Sequence, residues 1–595
     1  MELKTELRNL LATALASVSD ALKLPADIAL PIQIERPRES GHGDFSCNLA
    51  MLLAKPARRK PRDLAQSIVD ALPVSDAVDK VEIAGPGFIN FFLKPSAMQG
   101  VVKDVLAAAD GYGLDRSGRR GRIMVEFVSA NPTGPMHVGH GRGAAYGDSL
   151  SNLLEAAGWA VHREFYVNDA GRQVDILTVS VWVRYLEACG ETLPYPCRAY
   201  PGDYVRASAE RLVAVHGKRL HRPLNVILDG LPAEAPMPEV AGEADRAAIK
   251  AQQERYIDAL IARGRALLGD DYAIVRDQGL TDQLADIRST LEAFGVRFDR
   301  FYSERSLVES GFVAKAIERL KVAGHVYEQD GAIWLRTSAF GDEKDRVLIK
   351  ADGSATYFAN DLAYHVDKLD RGFPLLLDVW GADHHGYIAR VKAAIEALTG
   401  CKDVLSVQLV QFVTLASGRM GKRSGNFVTL KELIGEAGKD ATRFFYLLRS
   451  HEQHLEFNVD LARAQTNDNP VYYVQYAHAR ICSVLRQLEA KGLAWDPVCG
   501  NENLDLLVET QELKLLSTLS RFPETIESAA GAREPHHLAH YLTELANDFH
   551  VYYNAHTFLT EQENLRNARL NLCIATRHVT RNGLALLGVA APEIM

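Results

Sequence analysis

The sequence predicts an α/β protein whose mostly parallel sheet is covered by helices and flanked by an N-terminal α+β domain and a C-terminal all-α bundle. At 595 residues the chain is too long for a single hydrophobic core. Strand-like apolar runs alternate with helical patterns from Ile123 to about Val413, as in sheets with helical crossovers. From Leu433 onward strand signals almost vanish, and apolar residues recur at helical spacing from Tyr472 to Leu586.

These patterns divide the chain into four segments. Residues 1–110 form the α+β domain, with strands predicted on both sides of a Gly-Pro-Gly turn at 85–87. Residues 120–430 form the sheet-containing domain, with strands predicted at Ile123–Val128, His162–Val167, Leu375–Trp380 and Leu409–Leu415. The strand signal fades over residues 174–270, which we expect to be a helical insertion. Residues 431–465 are predicted as connecting stem helices and residues 466–595 as the bundle.

Composition limits the function classes. The net charge of −9 argues against indiscriminate coating of nucleic acid but allows a specific RNA partner on local basic patches. The sequence has no apolar run of membrane-spanning length and no secretory signal pattern, so we expect no membrane association. Seven scattered cysteines without Cys-x-x-Cys spacing favour a reducing cytoplasm and argue against a cysteine-built zinc site. We expect no resident metal.

The most informative motif is His137-Val138-Gly139-His140. It follows the predicted strand Ile123–Val128 and the turn formers at 131–135, and it precedes a predicted helix at 143–157. A strand-to-helix junction offers free backbone N–H groups and the positive end of a helix dipole, which suit a phosphate. Gly139 allows close approach of a nucleotide, and the two histidines add donors. Without other support, the motif could equally be a plain strand-to-helix turn.

A second motif is Arg419-Met420-Gly421-Lys422-Arg423-Ser424-Gly425-Asn426, after the predicted strand Leu409–Leu415 and before a helix that begins near Thr429. Three cations in a glycine-containing loop can close over a triphosphate and neutralise developing charge. A basic surface turn is the alternative.

A third motif, Gly381-Ala382-Asp383-His384-His385-Gly386-Tyr387, follows the predicted strand Leu375–Trp380. Its small residues would let a base or ribose approach the backbone, and Asp383 could accept from a ribose hydroxyl. A metal site and a packed polar loop end are the alternatives.

Together the motifs resemble those of class I aminoacyl-tRNA synthetases. His137-Val138-Gly139-His140 matches their His-x-Gly-His box, and residues 419–426 resemble their Lys-Met-Ser-Lys-Ser loop with its trailing Gly-Asn. More narrowly, the chain resembles bacterial-type arginyl-tRNA synthetases in segments from one end to the other: 41–45, 85–91, 126–132, 167–173, 357–361, 425–430 and 440–443. The chain departs from the loop pattern at Arg419 and Gly421, whereas Lys422 retains the second lysine.

The resemblance implies a Rossmann-like, nucleotide-binding catalytic domain. It implies that L-arginine is activated by ATP, with Mg²⁺ accompanying the nucleotide, and that arginine passes from arginyl-adenylate to the 3′ end of tRNA(Arg). It also implies that the bundle binds the anticodon and that the N-terminal domain touches the tRNA elbow. We expect a monomer. The implied catalytic residues are His137, His140 and Lys422, and the implied ATP site adds Gly139, Gly381, Asp383, His384 and Met420.

The implied arginine site comprises Glu126, Asn131, Tyr357 and Asp361. A guanidinium presents five donors in a planar fork that two carboxylates can pair. Tyr357 and Asp361 lie four residues apart, on one face of a helix. Glu126, in an apolar strand, needs a buried partner, which a ligand guanidinium would supply.

Two other functions fit the same features. One is a catalytically inactive, RNA-binding paralogue, against which the intact His137, His140, Lys422, Glu126 and Asp361 argue. The other is a class I synthetase for a different amino acid, such as cysteine or glutamine. Two acids at the amino-acid site favour arginine, and the thiolate-binding metal of a cysteine enzyme lacks its cysteine ligands here.

Overall fold

The computed structural model describes residues 2–20, 32–37, 40–234, 243–416 and 428–595. Met420 and Lys422 therefore lie outside the described residues. Within the described ranges, no helix combines the length and apolar character needed to cross a membrane.

The N-terminal part is a four-stranded antiparallel sheet with helices against it, ordered β1-β2-β4-β3. Its elements are α1 (Glu2–Val18), β1 (Ile34–Glu35), β2 (Phe45–Cys47), α2 (Leu49–Ala57), α3 (Pro61–Asp70), β3 (Val78–Ala84), β4 (Phe88–Leu93) and α4 (Pro95–Ala108). The strands predicted around the Gly-Pro-Gly turn are β3 and β4. α3 begins at Pro61, whose fixed φ suits the first helical position.

The central part contains the main sheet and its crossover helices. Its first half comprises β5 (Arg122–Glu126), α5 (Val138–Ala156), β6 (Ala160–Val167), α6 (Arg172–Ala188), α7 (Asp203–His216), α8 (Leu224–Leu228), α9 (Glu243–Leu268), α10 (Tyr272–Ala293), β7 (Arg300–Ser303), α11 (Glu304–Glu309) and α12 (Phe312–Val322). Its second half comprises β8 (Val326–Gln329), β9 (Ala332–Leu335), β10 (Arg346–Ile349), α13 (Tyr357–Asp370), β11 (Leu375–Gly381), α14 (Ile388–Thr399), β12 (Leu405–Val410), β13 (Val413–Leu415), α15 (Leu430–Ala437), α16 (Lys439–Leu447), β14 (Leu455–Phe457) and α17 (Val459–Arg463).

The main sheet has the order β12-β11-β5-β6-β7, and every neighbouring pair is parallel. The chain starts in the middle at β5, adds β6 and β7 on one side, then crosses back to add β11 and β12 on the other. The order therefore reverses between β5 and β11. Such a switch point opens a crevice at the carboxyl ends of the strands, where ligands of doubly wound folds bind.

Two details of this sheet differ from the sequence-based prediction. The single strand predicted at Leu409–Leu415 is two strands, because β12 belongs to the main sheet whereas β13 pairs with β14. The buried guanidinium of Arg142 explains the break, since it donates to the carbonyl oxygens of Gln411, Ser450 and Gln453 and binds the backbone between the two strands. β7 was not predicted at all.

The described residues of the region predicted as a helical insertion, 174–234 and 243–270, are largely helical and have their own hydrophobic core, formed by α6, α7, α9 and α10 around Trp182. The insertion also contacts the turn that precedes His137, because the Tyr204 hydroxyl on α7 donates to the Thr133 carbonyl oxygen at 2.9 Å. The C-terminal part is the predicted helical bundle: α18 (Pro470–Ala490), α19 (Pro497–Glu502), α20 (Thr510–Ser520), α21 (Phe522–Ala532), α22 (His536–Ala555) and α23 (Glu563–Leu586).

Close packing of α5 on the sheet yields a stability prediction. A Cβ added at Gly147 would lie 2.6 Å from the Phe127 Cβ, whereas one added at Gly143, on the same helix, would meet nothing within 4 Å. Gly147→Ala should therefore destabilise the fold by about 1–3 kcal/mol through overpacking. Gly143→Ala should be neutral or stabilise it by up to about 1 kcal/mol through helix propensity. Thermal melting of the two variants checks this; equal shifts in melting temperature would contradict it.

Candidate active site

A cleft of about 500 Å³ opens at the carboxyl ends of β5 and β11, at the switch point of the sheet. Most of the residues singled out from the sequence line this one cleft: Glu126, Asn131, His137, Gly139, His140, Asp361, Gly381, Asp383 and His384. Tyr357 is not among its lining residues and is 75% exposed at the start of α13. The cleft therefore brings Glu126 and Asp361 together with His137 and His140.

The histidine end of the cleft is built by the first turn of α5. His137 is the N-cap residue, and its Nδ1 accepts from the N–H groups of Gly139 and His140, while His140 Nδ1 accepts from the His137 N–H. Because Nδ1 is an acceptor in both rings, each neutral ring carries its proton on Nε2. Burial, helped by the neighbouring His137, lowers the pKa of His140 to about 3. His140 is therefore a neutral donor at physiological pH.

The exit from β5 is a tight, unusual turn. Val128 and Ser129 have φ angles of 69° and 39°, which are uncommon for residues with a side chain. Ser129 holds the turn in place: its hydroxyl donates to Glu126 Oε1 at 2.8 Å and accepts from the Tyr166 N–H at 3.1 Å. The turn leads to Asn131, whose Nδ2 donates to Gln173 Oε1 at 2.8 Å. Strained backbone of this kind is typical of functional sites.

The acidic end of the cleft contains a buried charge cluster. Lys368, which has no exposed surface, places Nζ 2.6 Å from Glu126 Oε2 and 2.9 Å from Asp378 Oδ1. The buried partner that Glu126 needs is thus a lysine of the same chain. His365 lies 2.9 Å from Asp378 Oδ2, and despite burial the contacts with Lys368 and His365 hold the pKa of Asp378 at about 2.

Two further carboxyl groups lie beside this cluster. Burial raises the pKa of Asp361, which accepts a hydrogen bond from the Tyr387 hydroxyl at 2.5 Å. Glu304, at the start of α11, accepts from Asn360 Nδ2 at 3.3 Å. Burial, with added repulsion from Asp361, raises the pKa of Glu304 to about 7. This end of the cleft therefore has an excess of negative charge that a cationic ligand would relieve.

Sequence reasoning missed Lys368, His365, Asp378, Glu304 and Tyr387. A signal was present for some of them. Asp361, His365 and Lys368 are spaced four and three residues apart, which places them on one face of α13. Asp378 is a lone acid in an apolar strand, as Glu126 is. Glu304 had no comparable signal, because its position depends on β7, which was not predicted.

Asp383 and His384, which the resemblance assigns to the ATP site, lie just after the end of β11. Both side chains are well exposed, and His384 Nε2 lies 3.5 Å from Asp383 Oδ2. Phe412 also lines the cleft and is 58% exposed. In the described part of the chain, no group of three or more His, Cys, Asp or Glu side chains is arranged to hold a metal ion.

Models of known protein families match nearly the whole chain. Residues 5–93 match the arginyl-tRNA synthetase N-terminal domain, and residues 474–595 match the DALR anticodon-binding domain. Residues 101–191 and 270–476 match the class I (R) tRNA synthetase catalytic domain. The interruption at 192–269 falls within the predicted insertion.

Comparison with individual proteins points to the same family. The chain is 54% identical to arginine–tRNA ligase of Thioalkalivibrio sulfidiphilus and 53% identical to that of Halorhodospira halophila, in each case over the full length of both chains. The solved arginyl-tRNA synthetase of Thermus thermophilus superposes with a TM-score of 0.73 at 25% identity, covering 99% of this chain and all of that one. The resemblance proposed from the motifs is thus confirmed: the chain belongs to the arginyl-tRNA synthetases, class I enzymes that use ATP to join arginine to tRNA.

Proposed function

We propose that the cleft between β5 and β11 catalyses both steps of arginine–tRNA ligation. L-arginine and ATP form arginyl-adenylate and pyrophosphate, and arginine then passes to the 3′ end of tRNA(Arg). The observation that carries the proposal is the shared lining of the cleft, which joins Glu126 and Asp361 to His137 and His140. One cavity can therefore hold a cationic side chain beside a triphosphate.

At the acidic end, Asp361 and Glu126 bind arginine, and Asn131 orients it. A role of Tyr357 in orienting arginine stays a prediction from the resemblance, because Tyr357 does not line the cleft. A buried carboxylate pair matches the planar guanidinium, and a lysine ammonium cannot make the same bidentate contact. Glu304 adds negative potential beside Asp361. Discrimination against uncharged amino acids follows, because they would leave the excess negative charge around Asp361 and Glu304 unrelieved.

At the other end, the Nε2–H groups of His137 and His140 and the N-terminus of α5 bind the phosphates of ATP. Gly139, Gly381, Asp383 and His384 receive the adenosine. Met420 and Lys422, which lie outside the described residues, contact the nucleotide, Lys422 at its phosphates. Adenylate formation spreads charge over the phosphates, so positioning and electrostatics supply most of the acceleration. Mg²⁺, which binds through substrate phosphates and few protein carboxylates, would enter with ATP and neutralise charge there, with Asp383 the carboxylate at hand.

The proposal also gives each segment of the chain a role. We propose that residues 1–110 contact the tRNA body, that residues 120–430 catalyse with the insertion at 174–270, that residues 431–465 connect, and that residues 466–595 bind the anticodon. A cytoplasmic location is supported by seven cysteines that are all free thiols. The monomeric state stays a prediction.

The proposed activity is tested by tRNA charging with each of the twenty amino acids, using purified protein, ATP and total tRNA. Only arginine should be attached, and only with ATP present. Charging of another amino acid would overturn the substrate assignment. Absence of any charging, with intact RNA binding, would favour the inactive paralogue.

Asp361→Asn should raise the KM for arginine about 10- to 100-fold, because an amide cannot pair with the guanidinium. The KM for ATP should change little, since the histidine end is untouched. Asp370→Asn is the matched control on the same helix: Asp370 makes a half-exposed pair with Arg319, so its loss should leave both constants near those of the wild type. Equal effects of the two variants would remove Asp361 from the arginine site.

The pH dependence of arginine binding should follow the ionisation of the Glu304 carboxyl group. With a pKa of about 7, Glu304 is neutral below that pH and negative above it, so binding of the cation should strengthen as pH rises from 6 to 8. The KM for arginine should fall over this window in the wild type. In Glu304→Gln it should be higher and nearly independent of pH. A wild-type slope that survives in Glu304→Gln would show that another group titrates.

A further inference from the structure

Three tyrosines from three elements pack together beneath the acidic end of the cleft. Tyr166 on β6 lies with its ring centroid 4.5 Å from that of Tyr364 on α13 and 6.2 Å from that of Tyr302 on β7, and the Tyr302 and Tyr364 centroids are 4.7 Å apart. All three are buried. Tyr166 and Tyr364 also line the cleft. The three rings therefore belong to one buried cluster.

The hydroxyl groups differ in their hydrogen-bond partners. Tyr364 donates to Glu164 Oε1 at 2.7 Å, whereas burial and then the nearby charge of Asp367 raise the pKa of Tyr302. The Tyr166 hydroxyl is fully buried and has no hydrogen-bond partner in the described structure. Buried hydroxyl groups are paired in nearly all folded proteins, since an unpaired one has lost its water without replacement. Tyr166 is therefore unlike its two neighbours.

Carboxyl groups surround this unpaired phenol. Burial, and then the nearby charges of Glu304, Asp361 and Glu126, raise the pKa of Tyr166 well above the ordinary range for tyrosine. The phenol therefore stays protonated, and it can donate one hydrogen bond while accepting another. The same acids are those assigned above to the arginine end of the cleft.

We propose that Tyr166 is a specificity-determining residue for arginine, whose bound guanidinium supplies the missing partner of its hydroxyl. Once the side chains that cover the hydroxyl shift on arginine binding, a guanidinium N–H donates to the phenol oxygen, which has no partner in the described structure. The planar guanidinium has five N–H donors, enough for two carboxylates and a phenol at once. This inference rests on the proposed function, because it takes arginine as the ligand of the acidic end.

The proposal makes Tyr166→Phe affect stability and binding in opposite directions. The free protein should melt at the same or a higher temperature, because the substitution removes a buried hydroxyl that has no partner. The KM for arginine should rise about tenfold or more, the usual cost of losing a hydrogen bond to a charged group, with the KM for ATP unchanged. A merely structural tyrosine would instead lower the melting temperature and disturb both constants.

The two neighbouring tyrosines are matched controls. Tyr302→Phe should leave the KM for arginine within about twofold of the wild type, because its hydroxyl faces Asp367. Tyr364→Phe should lower the melting temperature, because it leaves Glu164 short of a buried hydrogen bond.

The full chain is assayed by arginine charging of tRNA and by thermal melting. An unchanged KM for arginine in Tyr166→Phe, or a fall in melting temperature as large as that of Tyr364→Phe, would overturn the role of Tyr166. The wild-type assay tests the proposed function separately: if the wild type attaches no arginine, that function fails whatever the variants do.

Discussion

The candidate site depends on a buried lysine held between two carboxylates on adjacent strands. Glu126 and Asp378 are register partners of β5 and β11, so their side chains emerge next to each other at the switch point of the sheet. Like charges in this position repel each other unless a cation lies between them. Lys368 supplies that cation from α13, and leaving either acid unpaired in the interior would cost about 3–5 kcal/mol. This pairing fixes where α13 sits, and α13 carries Asp361.

The cleft that results has opposite electrostatic character at its two ends. At one end, the N-terminus of α5 and two histidines protonated on Nε2 present hydrogen-bond donors. At the other, acids outnumber the cations that the chain supplies. Under the proposed function, a substrate with a negative triphosphate and one with a positive side chain would bind at different ends, with their reacting groups between them. The two ends share one cavity because the tight turn at Val128 and Ser129 leads from the acidic end, at Glu126, to the histidine end, at Gly139.

The sequence predicted the parts of the site that rest on local signals. Pro132, Gly134 and the His-x-Gly-His motif marked a strand-to-helix junction, and His137 is the N-cap of α5. The partner of Glu126 was expected to be a ligand because Lys368 lies 242 residues away, beyond any local pattern. The strand β7 has only four residues, and β13 pairs with β14 some forty residues later, so neither had a periodic signal of its own. Tertiary pairing, which local sequence does not encode, decided these features.

The buried Arg443 links the order of synthesis to the order of folding. Its guanidinium joins Asp148 on α5 to the carbonyl oxygens of Phe294 and Leu587, and Leu587 follows Arg443 by 144 residues. While the chain emerges from the ribosome, residues of the main sheet and its helices are complete long before Leu587 exists. During that interval the arginine lacks one of its acceptors. The final packing of Arg443 therefore cannot be completed until the last residues of the bundle have been made.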